Sequence, residues 1–213
     1  MWFTKLIPVL AMLAAGSVGA ALPDYSGEQP KALTAQATAV FAGGCFWGIQ
    51  AVFEHVKGVS SATAGYSGGS ANTAQYETVS TGRTGHAESV KVVYDPSQIS
   101  FGQILKVFFS VAHDPTELNR QGPDEGTQYR SVIFFSSPDQ HRVARAYIDQ
   151  VNAAKVFSEP IVTQLVALQA FYPAEDYHQN YAENHPNEPY IAINDLPKLE
   201  HLKQTLPELY VGK

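Results

Sequence analysis

The feature that most limits how this chain can fold is that its 213 residues include a single cysteine, Cys45. Extracellular proteins often cross-link pairs of cysteines, but one cysteine cannot form a disulfide within its own chain. A hydrophobic core must therefore hold the fold, and the length is sufficient for one such domain. Cys45 is then a free thiol, a bridge to another chain, or a buried side chain that packs as a small hydrophobe.

The first 20 residues have the layout of a secretory signal peptide. Lys5 supplies positive charge, an apolar run follows from Leu6 to Ala15, and small residues end the segment. Val18 and Ala20 occupy the −3 and −1 positions of a cleavage site after Ala20. An uncleaved membrane anchor is the alternative, but the apolar run is short for a bilayer. We expect secretion across the inner membrane into the periplasm, with no anchor after cleavage.

The rest of the chain divides into a short leader and one domain. Residues 21–37 are rich in Ala, Pro, Ser and Gly and predict a flexible lead-in. Residues 38–213 are expected to form a single domain, and we expect a monomer. The formal net charge of −6 at pH 7 argues against a broad nucleic-acid surface, which would require a basic face.

Hydrophobic periodicity places strands and helices along this domain. Thr38–Ala42 predicts a short strand, Gly43-Gly44 breaks it, and a helical pattern runs from Phe46 to Val56. Strands are also predicted at 59–65, 89–94 and 128–135 and, as a buried strand, at 163–170; helices at 101–111, 138–155 and 196–206; a polar loop at 113–127; and an aromatic, polar stretch at 172–188. Because strands and helices do not alternate strictly, the pattern predicts an α+β, two-layer domain.

Cys45 lies between the first strand and the first turn of the first helix. A helix N-terminus stabilises a thiolate, whose parent thiol has an ordinary pKa of about 8.5. The two glycines before it let a ligand approach the backbone closely. This placement favours an exposed, activated thiol over a core cysteine. Phe46 and Trp47 are either core anchors or the walls of a pocket for a small apolar group such as a methyl.

Two polar segments are candidate partners of the thiol. His86 and Glu88 lie two residues apart at the start of a predicted strand, so their side chains point to the same face. Residues 119–131 form a loop rich in polar and turn residues, which is a usual place for binding groups. The alternative for this loop is a solvated turn that is stabilised by its own hydrogen bonds.

The chain resembles the A-type peptide methionine sulfoxide reductases in an ordered set of motifs that spans nearly the whole domain. The motifs are Gly43-Gly44-Cys45-Phe46-Trp47-Gly48, Gly85-His86-Ala87-Glu88, His113-Asp114-Pro115, Asn119-Arg120-Gln121-Gly122, Gly126-Thr127-Gln128-Tyr129-Arg130-Ser131 and Ala174-Glu175-Asp176-Tyr177-His178-Gln179. The resemblance implies a ferredoxin-like α+β fold, a two-layer sandwich with a mixed central sheet and flanking helices. It also implies reduction of the S epimer of methionine sulfoxide, both in proteins or peptides and as the free amino acid.

The resemblance implies a role for each matching residue at the reacting sulfoxide. Cys45 matches the nucleophile that attacks the sulfur, and Glu88 matches the acid that protonates the oxygen. Tyr76 and Tyr129 match two phenols that hydrogen-bond this oxygen. An acid in this role must be neutral near pH 7, so the pKa of Glu88 has to be raised by its surroundings.

Other matches concern substrate binding and the reductant. Phe46 and Trp47 match the aromatic pair that holds the methyl group, and Asp124 matches a further acid of the pocket. No bound cofactor or metal is implied. Many family members reduce the sulfenic acid of their nucleophilic cysteine with a second cysteine near the C-terminus, which this chain lacks. It therefore resembles the single-cysteine branch, in which an external thiol, from a thioredoxin-like protein, a glutaredoxin or a small molecule, completes the cycle.

Three other interpretations use the same residues. A cysteine-dependent hydrolase or acyl-transferase would pair Cys45 with His86 or His178 as base. A metal site would use two histidines and two carboxylates; its four candidate ligands are His86, Glu88, Glu175 and His178. A non-enzymatic binding module would simply bury Cys45 in its core.

Overall fold

A computed structural model describes residues 22–29 and 35–212. The predicted signal peptide lies outside the described residues. Within them, no helix is both long enough and apolar enough to span a bilayer. Part of the expected flexible lead-in contacts the domain: Leu22 is 4% exposed, and the Tyr147 hydroxyl donates to the Pro23 carbonyl at 2.8 Å.

Six strands form one mixed sheet, which confirms the predicted α+β class. The strands of the chain are β1 (Ala37–Ala42), β2 (Val59–Ser67), β3 (Ala87–Tyr94), β4 (Arg120–Gln121), β5 (Asp124–Glu125), β6 (Val132–Phe135), β7 (Gln164–Ala167) and β8 (Phe171–Pro173). The order across the sheet is β7-β6-β1-β3-β2-β8, while β4 and β5 form a separate hairpin. All neighbours in the large sheet are antiparallel except the β6–β7 pair.

The helices are α1 (Phe46–Glu54), α2 (Tyr76–Val79), α3 (Phe101–Val107), α4 (Pro138–Ala154), α5 (Tyr181–Asn184) and α6 (Leu196–Thr205). Helix α3 begins with a capping box in which Ser100 and Gln103 satisfy each other's backbone N–H groups. Helix α4 begins with Ser137 as cap and Pro138 in the first turn, a position where proline costs no hydrogen bond. Helices α3 and α6 adjoin π-helical turns at 108–112 and 191–195, respectively.

The core lies on both faces of β1 because successive side chains of a strand point to opposite faces. Phe41 faces the main core, where its ring stacks on Phe53 at 5.4 Å and on Phe108 at 4.7 Å. Val40 faces a smaller cluster that includes Phe134. Helix α1 follows β1 directly and packs against the sheet through this core, so its first turn lies at the end of β1.

Two predicted strands differ from those observed. The strand predicted over 128–135 begins only at Val132, because residues 127–129 form a tight turn. The strand predicted over 163–170 covers only Gln164–Ala167, and it is a half-exposed edge strand, not a buried one. Its apolar run is continuous because Leu165 packs against the main core, whereas Val166 and Leu168 pack against the smaller cluster on the other face.

Two stretches without a predicted element contain short ones. The loop predicted over 113–127 includes the β4–β5 hairpin, whose register pairs Gln121 with Asp124. The stretch over 172–188 includes β8, a single turn at 176–178 and helix α5. Elements of three or four residues are too short to show a hydrophobic period.

Candidate active site

Two glycines let the chain turn from β1 into α1 at Cys45. Gly44 has φ +102°, a conformation that L side chains rarely adopt. A Cβ at Gly43 would lie 2.7 Å from the His113 ring, and one at Gly44 would lie 2.6 Å from the Gln121 side chain. Both positions therefore require glycine, and Cys45 is held as the residue that caps α1.

The Cys45 thiol is buried in the resting enzyme, contrary to the exposed thiol that the sequence predicts. The residue is 8% exposed. Burial, followed by the negative charges of Glu88 and Asp195, raises the pKa of the thiol well above its ordinary value. The backbone N–H of Trp47 acts in the opposite direction, as expected at a helix N-terminus. Desolvation outweighs this hydrogen bond, so the resting sulfur is a thiol.

Glu88 lies next to this thiol because β1 and β3 are antiparallel neighbours. Their register pairs Phe41 with Val90, so the start of β3 adjoins the end of β1. The Glu88 carboxylate accepts the Phe46 N–H at 3.1 Å and is 2% exposed. Burial raises its pKa to about 8, although the Phe46 hydrogen bond lowers it. Glu88 is therefore mostly a neutral carboxylic acid at pH 7.

The phenols of Tyr76 and Tyr129 share the electrostatic environment of Glu88 and Cys45. Burial raises the pKa of each phenol, and the Glu88 carboxyl and the Cys45 sulfur raise it further. Both phenols therefore remain protonated and can donate hydrogen bonds. The Tyr76 backbone N–H donates to Glu175 at 2.9 Å, which fixes the start of α2.

The turn that carries Tyr129 is tied to the strand that carries Glu88. The Arg130 guanidinium donates to the carbonyls of Gly85 at 2.9 Å and His86 at 3.1 Å, just before β3. It also donates to the Thr127 carbonyl at 2.7 Å. These hydrogen bonds hold the turn and the strand start together, so the Arg130 side chain helps to set the relative position of Tyr129 and Glu88.

The two aromatic residues after Cys45 differ in burial: Trp47 is partly buried, whereas Phe46 is fully buried in the core. Phe46 is 0% exposed, and its ring centroid lies 5.1 Å from that of His178. The Trp47 indole stacks on Tyr181 at 4.0 Å, and its N–H donates to His178 Nδ1 at 3.2 Å. Of the two aromatic residues, Trp47 is the one with an accessible face.

Asp124 joins the site through Tyr190, which the motif comparison did not include. The Tyr190 hydroxyl donates a short hydrogen bond to the Asp124 carboxylate. Burial raises the pKa of Asp124, and this carboxyl in turn raises the pKa of Glu88. Tyr190 follows the aromatic, polar stretch 172–188. In the sequence nothing distinguishes it from the other aromatic residues nearby.

Asp195 and Lys198 also lie at the thiol and were not predicted. Lys198 Nζ and Asp195 Oδ1 form an ion pair at 3.2 Å. Both groups act on the Cys45 thiol: the charge of Asp195 raises its pKa, and the charge of Lys198 lowers it. In the sequence Lys198 belongs to an amphipathic helix predicted over 196–206, whose apolar face is the only clear signal, and Asp195 directly precedes it.

The histidines proposed for a hydrolase are not among the charged groups that act on the Cys45 thiol. His86 accepts the Gly69 N–H at 3.2 Å through Nδ1, and its Nε2 is 3.0 Å from the Ser70 carbonyl. His178 Nδ1 accepts the Trp47 indole N–H, and burial lowers the pKa of this ring. The charged groups that act on the Cys45 thiol are two carboxyls and one ammonium, so the site offers an acid where a hydrolase needs a base.

The structure does not bring the four proposed metal ligands together. Glu88 accepts the Phe46 N–H, and Glu175 accepts hydrogen bonds from the Tyr66 hydroxyl at 2.8 Å and from the Tyr76 N–H. Among residues 22–29 and 35–212, no group of three or more His, Cys, Asp or Glu side chains has the geometry to hold a metal ion.

These contacts define a thiol enzyme whose nucleophile is paired with a neutral carboxylic acid and protonated phenols. Residues 37–209 match the family model described as peptide methionine sulfoxide reductase. A Mesorhizobium japonicum protein named peptide methionine sulfoxide reductase MsrA 2 is 58% identical, over 86% of this chain and 94% of that protein. A Synechocystis protein of the same name is 54% identical, over 82% and 83%. The chain belongs to the peptide methionine sulfoxide reductase family.

Solved structures agree with this assignment. Methionine sulfoxide reductase A of Corynebacterium diphtheriae has a TM-score of 0.62 and 34% identity, and the match covers 78% of this chain and 85% of that chain. Reduced Mxr1 from Saccharomyces cerevisiae has a TM-score of 0.67 and 29% identity, covering 75% and 91%. The likeness includes the mixed sheet with its flanking helices, so the predicted fold is confirmed.

Proposed function

We propose that this chain reduces the S epimer of methionine sulfoxide, in oxidised proteins and as the free amino acid, with Cys45 as nucleophile and Glu88 as proton donor. The observation that carries the proposal is the neutral Glu88 carboxyl, which accepts the N–H of the residue that follows Cys45. A sulfoxide oxygen leaves sulfur readily only when it is protonated. A carboxyl that holds its proton at pH 7 supplies that proton.

The resting thiol implies that the proton of Cys45 moves as its sulfur attacks. Glu88 gives its proton to the sulfoxide oxygen and thereby becomes a carboxylate. This carboxylate accepts the Cys45 proton, so Glu88 returns to its neutral form. Tyr76 and Tyr129 donate hydrogen bonds to the oxygen while negative charge develops on it, an interaction that grows stronger toward the transition state.

The atoms and electrons balance within this first half of the cycle. The bond that forms between the Cys45 sulfur and the sulfoxide sulfur in the attack breaks again as the oxygen moves to Cys45, so the net change is one S–O bond broken on the substrate and one S–O bond formed on Cys45. The substrate sulfur is reduced by two electrons to the thioether, and Cys45 is oxidised by two electrons to the sulfenic acid. Methionine is released.

Substrate orientation follows from the fixed aromatic wall. The Trp47 indole is held on one side by Tyr181 and at its N–H by His178. We place the substrate methyl against the accessible face of Trp47, with Phe46 supporting this wall from below and Asp124 on the polar side of the pocket. With the oxygen bound by the two phenols and the methyl placed against Trp47, only one sulfoxide epimer would present its sulfur to Cys45.

The second half of the cycle requires a thiol from outside the chain, since Cys45 has no partner cysteine. One external thiol attacks the sulfenic acid, which forms a mixed disulfide and releases water. A second thiol, from the same donor when it is a thioredoxin-like protein or a glutaredoxin, attacks the disulfide and releases reduced Cys45. Small thiols react in the same two steps.

The N-terminal layout supports secretion to the periplasm, where cleavage after Ala20 would leave the lead-in over residues 21–37 and the catalytic domain over residues 38–213. We take the cleaved protein to be a monomer. In such an oxidising compartment the donor must be kept reduced by a dedicated supply of electrons. Localisation of the full chain and of a variant that lacks residues 1–20 would test this: the full chain should appear in the periplasmic fraction, and cytoplasmic retention of the full chain would refute it.

The chemical proposal is tested by the fate of the two sulfoxide epimers. Each epimer of N-acetyl methionine sulfoxide is incubated with the enzyme and dithiothreitol, and the thioether is measured. Reduction of the S epimer alone is expected. Equal rates for both epimers would contradict the orienting role of the Trp47 wall, and no reduction of either would refute the proposed activity.

A further inference from the structure

We propose that Asp195 and Lys198 are positioning residues that together set the charge on the Cys45 sulfur, Lys198 stabilising the thiolate and Asp195 opposing it. The proposal rests on the proposed function of Cys45 as nucleophile. Lys198 Nζ lies 3.2 Å from Asp195 Oδ1, and the two side chains are 20% and 0% exposed, respectively. A charge pair this buried is costly to desolvate, so its place beside a reactive thiol requires an explanation.

The pair reaches the thiol through a gap in the first turn of α1. Gly48 lies three residues after Cys45. A Cβ at this position would overlap Asp195 Oδ1 and would lie 2.7 Å from Lys198 Nζ. Glycine is therefore the residue that allows both charges to rest against the turn that carries the thiol. Helix α6, which begins at Leu196, delivers the pair to this point.

The second oxygen of Asp195 supports a role beyond packing. Asp195 is 1% exposed, and its Oδ2 has no hydrogen-bond partner among the described residues. Only Lys198 compensates this carboxylate among the described contacts. A purely structural pair is expected to satisfy both oxygens, whereas an electrostatic device needs a carboxylate whose charge is incompletely neutralised and can act on its neighbours.

The charges that act on the Cys45 thiol come from two directions. Glu88 and Asp195 raise its pKa and Lys198 lowers it, beside the larger effect of burial. The other titratable groups around this site are Asp124, His113 and the phenols of Tyr76, Tyr129 and Tyr190. Lys198 is the cation in this set, since burial lowers the pKa of His113 to about 4 and so keeps it neutral.

The cycle needs a thiolate at Cys45 twice. The sulfur carries negative charge when it attacks the sulfoxide, and again when it leaves the mixed disulfide under attack by the second external thiol. A buried thiolate with only carboxyl neighbours would be a weak leaving group. The part-buried Lys198 ammonium stabilises it in both steps, and more strongly than a mobile surface lysine, because the site is shielded from water.

The test measures how readily the Cys45 thiol ionises, in the absence of any substrate. Because Cys45 is the chain's only cysteine, the rate of alkylation by iodoacetamide as a function of pH reports this thiol alone. Asp195→Asn removes the negative charge and should shift the profile to lower pH. Lys198→Met leaves an ionised Asp195 at the alkaline pH of the titration and should shift it to higher pH. We expect each shift to be about half a pH unit or more, roughly threefold in thiolate population.

Matched variants separate charge from packing. Lys198→Arg keeps the cation and should restore the wild-type profile, whereas Lys203→Met, an exposed lysine on the same helix, should not change it. Shifts of opposite sign support the proposal. Shifts of the same sign, or none, in variants whose circular dichroism matches the wild type would overturn it.

This outcome is independent of the reductase assay. Release of methionine by the wild-type enzyme tests the proposed function, and the alkylation profiles test the charge pair. If the wild type reduces methionine sulfoxide while the Asp195 and Lys198 variants keep the wild-type profile, only the inference about the pair fails.

Discussion

Replacing Glu88 by glutamine tests the proton donor that the site is built around. Glutamine keeps the shape of the side chain and can still accept the Phe46 N–H, which Glu88 accepts at 3.1 Å. It has no proton to give to the sulfoxide oxygen. The variant should therefore fold normally and bind the substrate, but it should lose the acid-catalysed part of the reaction.

The structure sets the size and the pH dependence of this loss. A positioned acid contributes typically ~10²–10⁴-fold, which corresponds to about 3–5 kcal/mol of the activation barrier. With a pKa of about 8, Glu88 is about nine-tenths neutral at pH 7 and about one-tenth neutral at pH 9. The wild-type rate should therefore fall about tenfold across this interval, while the Cys45 thiol, whose pKa is raised well above its ordinary value, is still protonated.

The assay is a single turnover without external thiol, in which methionine release is followed in a rapid-quench instrument between pH 6 and pH 10. Glu88→Gln should be slow throughout and should lack the decline centred near pH 8. Glu183→Gln, an exposed carboxylate on the neighbouring α5, is the control and should match the wild type. A Glu88→Gln rate within about threefold of wild type, far less than acid catalysis provides, would refute the acid role.

Four further outcomes are expected. Cys45→Ser should release no methionine in the same assay; measurable turnover would remove Cys45 as nucleophile. Tyr129→Phe should slow the single turnover by about tenfold or more, because an oxyanion donor is lost, whereas the exposed phenol of Tyr177 should be replaceable by Phe without effect. Phe53→Ala should lower the free energy of unfolding in urea by ~3–5 kcal/mol, since a fully buried ring is removed; a loss below about 1 kcal/mol would contradict the packing of Phe41 against it. The native state keeps the Glu88 proton up to about pH 8, whereas the unfolded chain loses it near its ordinary pKa of 4.5. The free energy of unfolding should therefore fall from pH 5 to pH 8 more steeply in the wild type than in Glu88→Gln, and equal slopes would argue against the raised pKa.

The elements in which hydrophobic residues recur at a clear strand or helix period could be predicted from the sequence. The strand at Thr38–Ala42, the helix from Phe46 and the helix from Pro138 are all observed within a few residues. Each combines a clear period with a boundary signal, such as Gly43-Gly44 or the Ser137 cap. These elements bury their apolar faces in one core, so the local pattern and the tertiary structure agree.

The parts that were not predictable depend on tertiary contacts. Residues 128–131 have strand-like composition, but the Arg130 guanidinium binds backbone carbonyls of another segment and holds a turn. Leu22 belongs to the segment predicted as a flexible lead-in, and it is buried against the domain. In both cases a partner far along the chain decides the local structure, and a single sequence does not reveal it.

The site also combines features that the sequence predicts with features that depend on tertiary contacts. The segments with Cys45 and Glu88 were recognisable by motif, and their proximity follows from the pairing of β1 with β3. The ionisation of the thiol was not recognisable. The helix N-terminus predicts a lowered pKa, but burial and two carboxyls outweigh that hydrogen bond. One of those carboxyls, Asp195, directly precedes a helix whose sequence shows only an amphipathic pattern.

The central claim is that the sulfur of Cys45 takes the oxygen of methionine sulfoxide, and one measurement tests it most directly. Reduced enzyme is separated from free thiols and mixed with the S epimer of methionine sulfoxide labelled with heavy oxygen. One sample is examined by intact mass spectrometry, and a second is first treated with a reagent that traps sulfenic acids. One methionine should be released per enzyme, with the heavy oxygen on Cys45 before trapping and the reagent on Cys45 after it. Release of methionine without labelled oxygen or reagent on Cys45 would show that another group takes the oxygen.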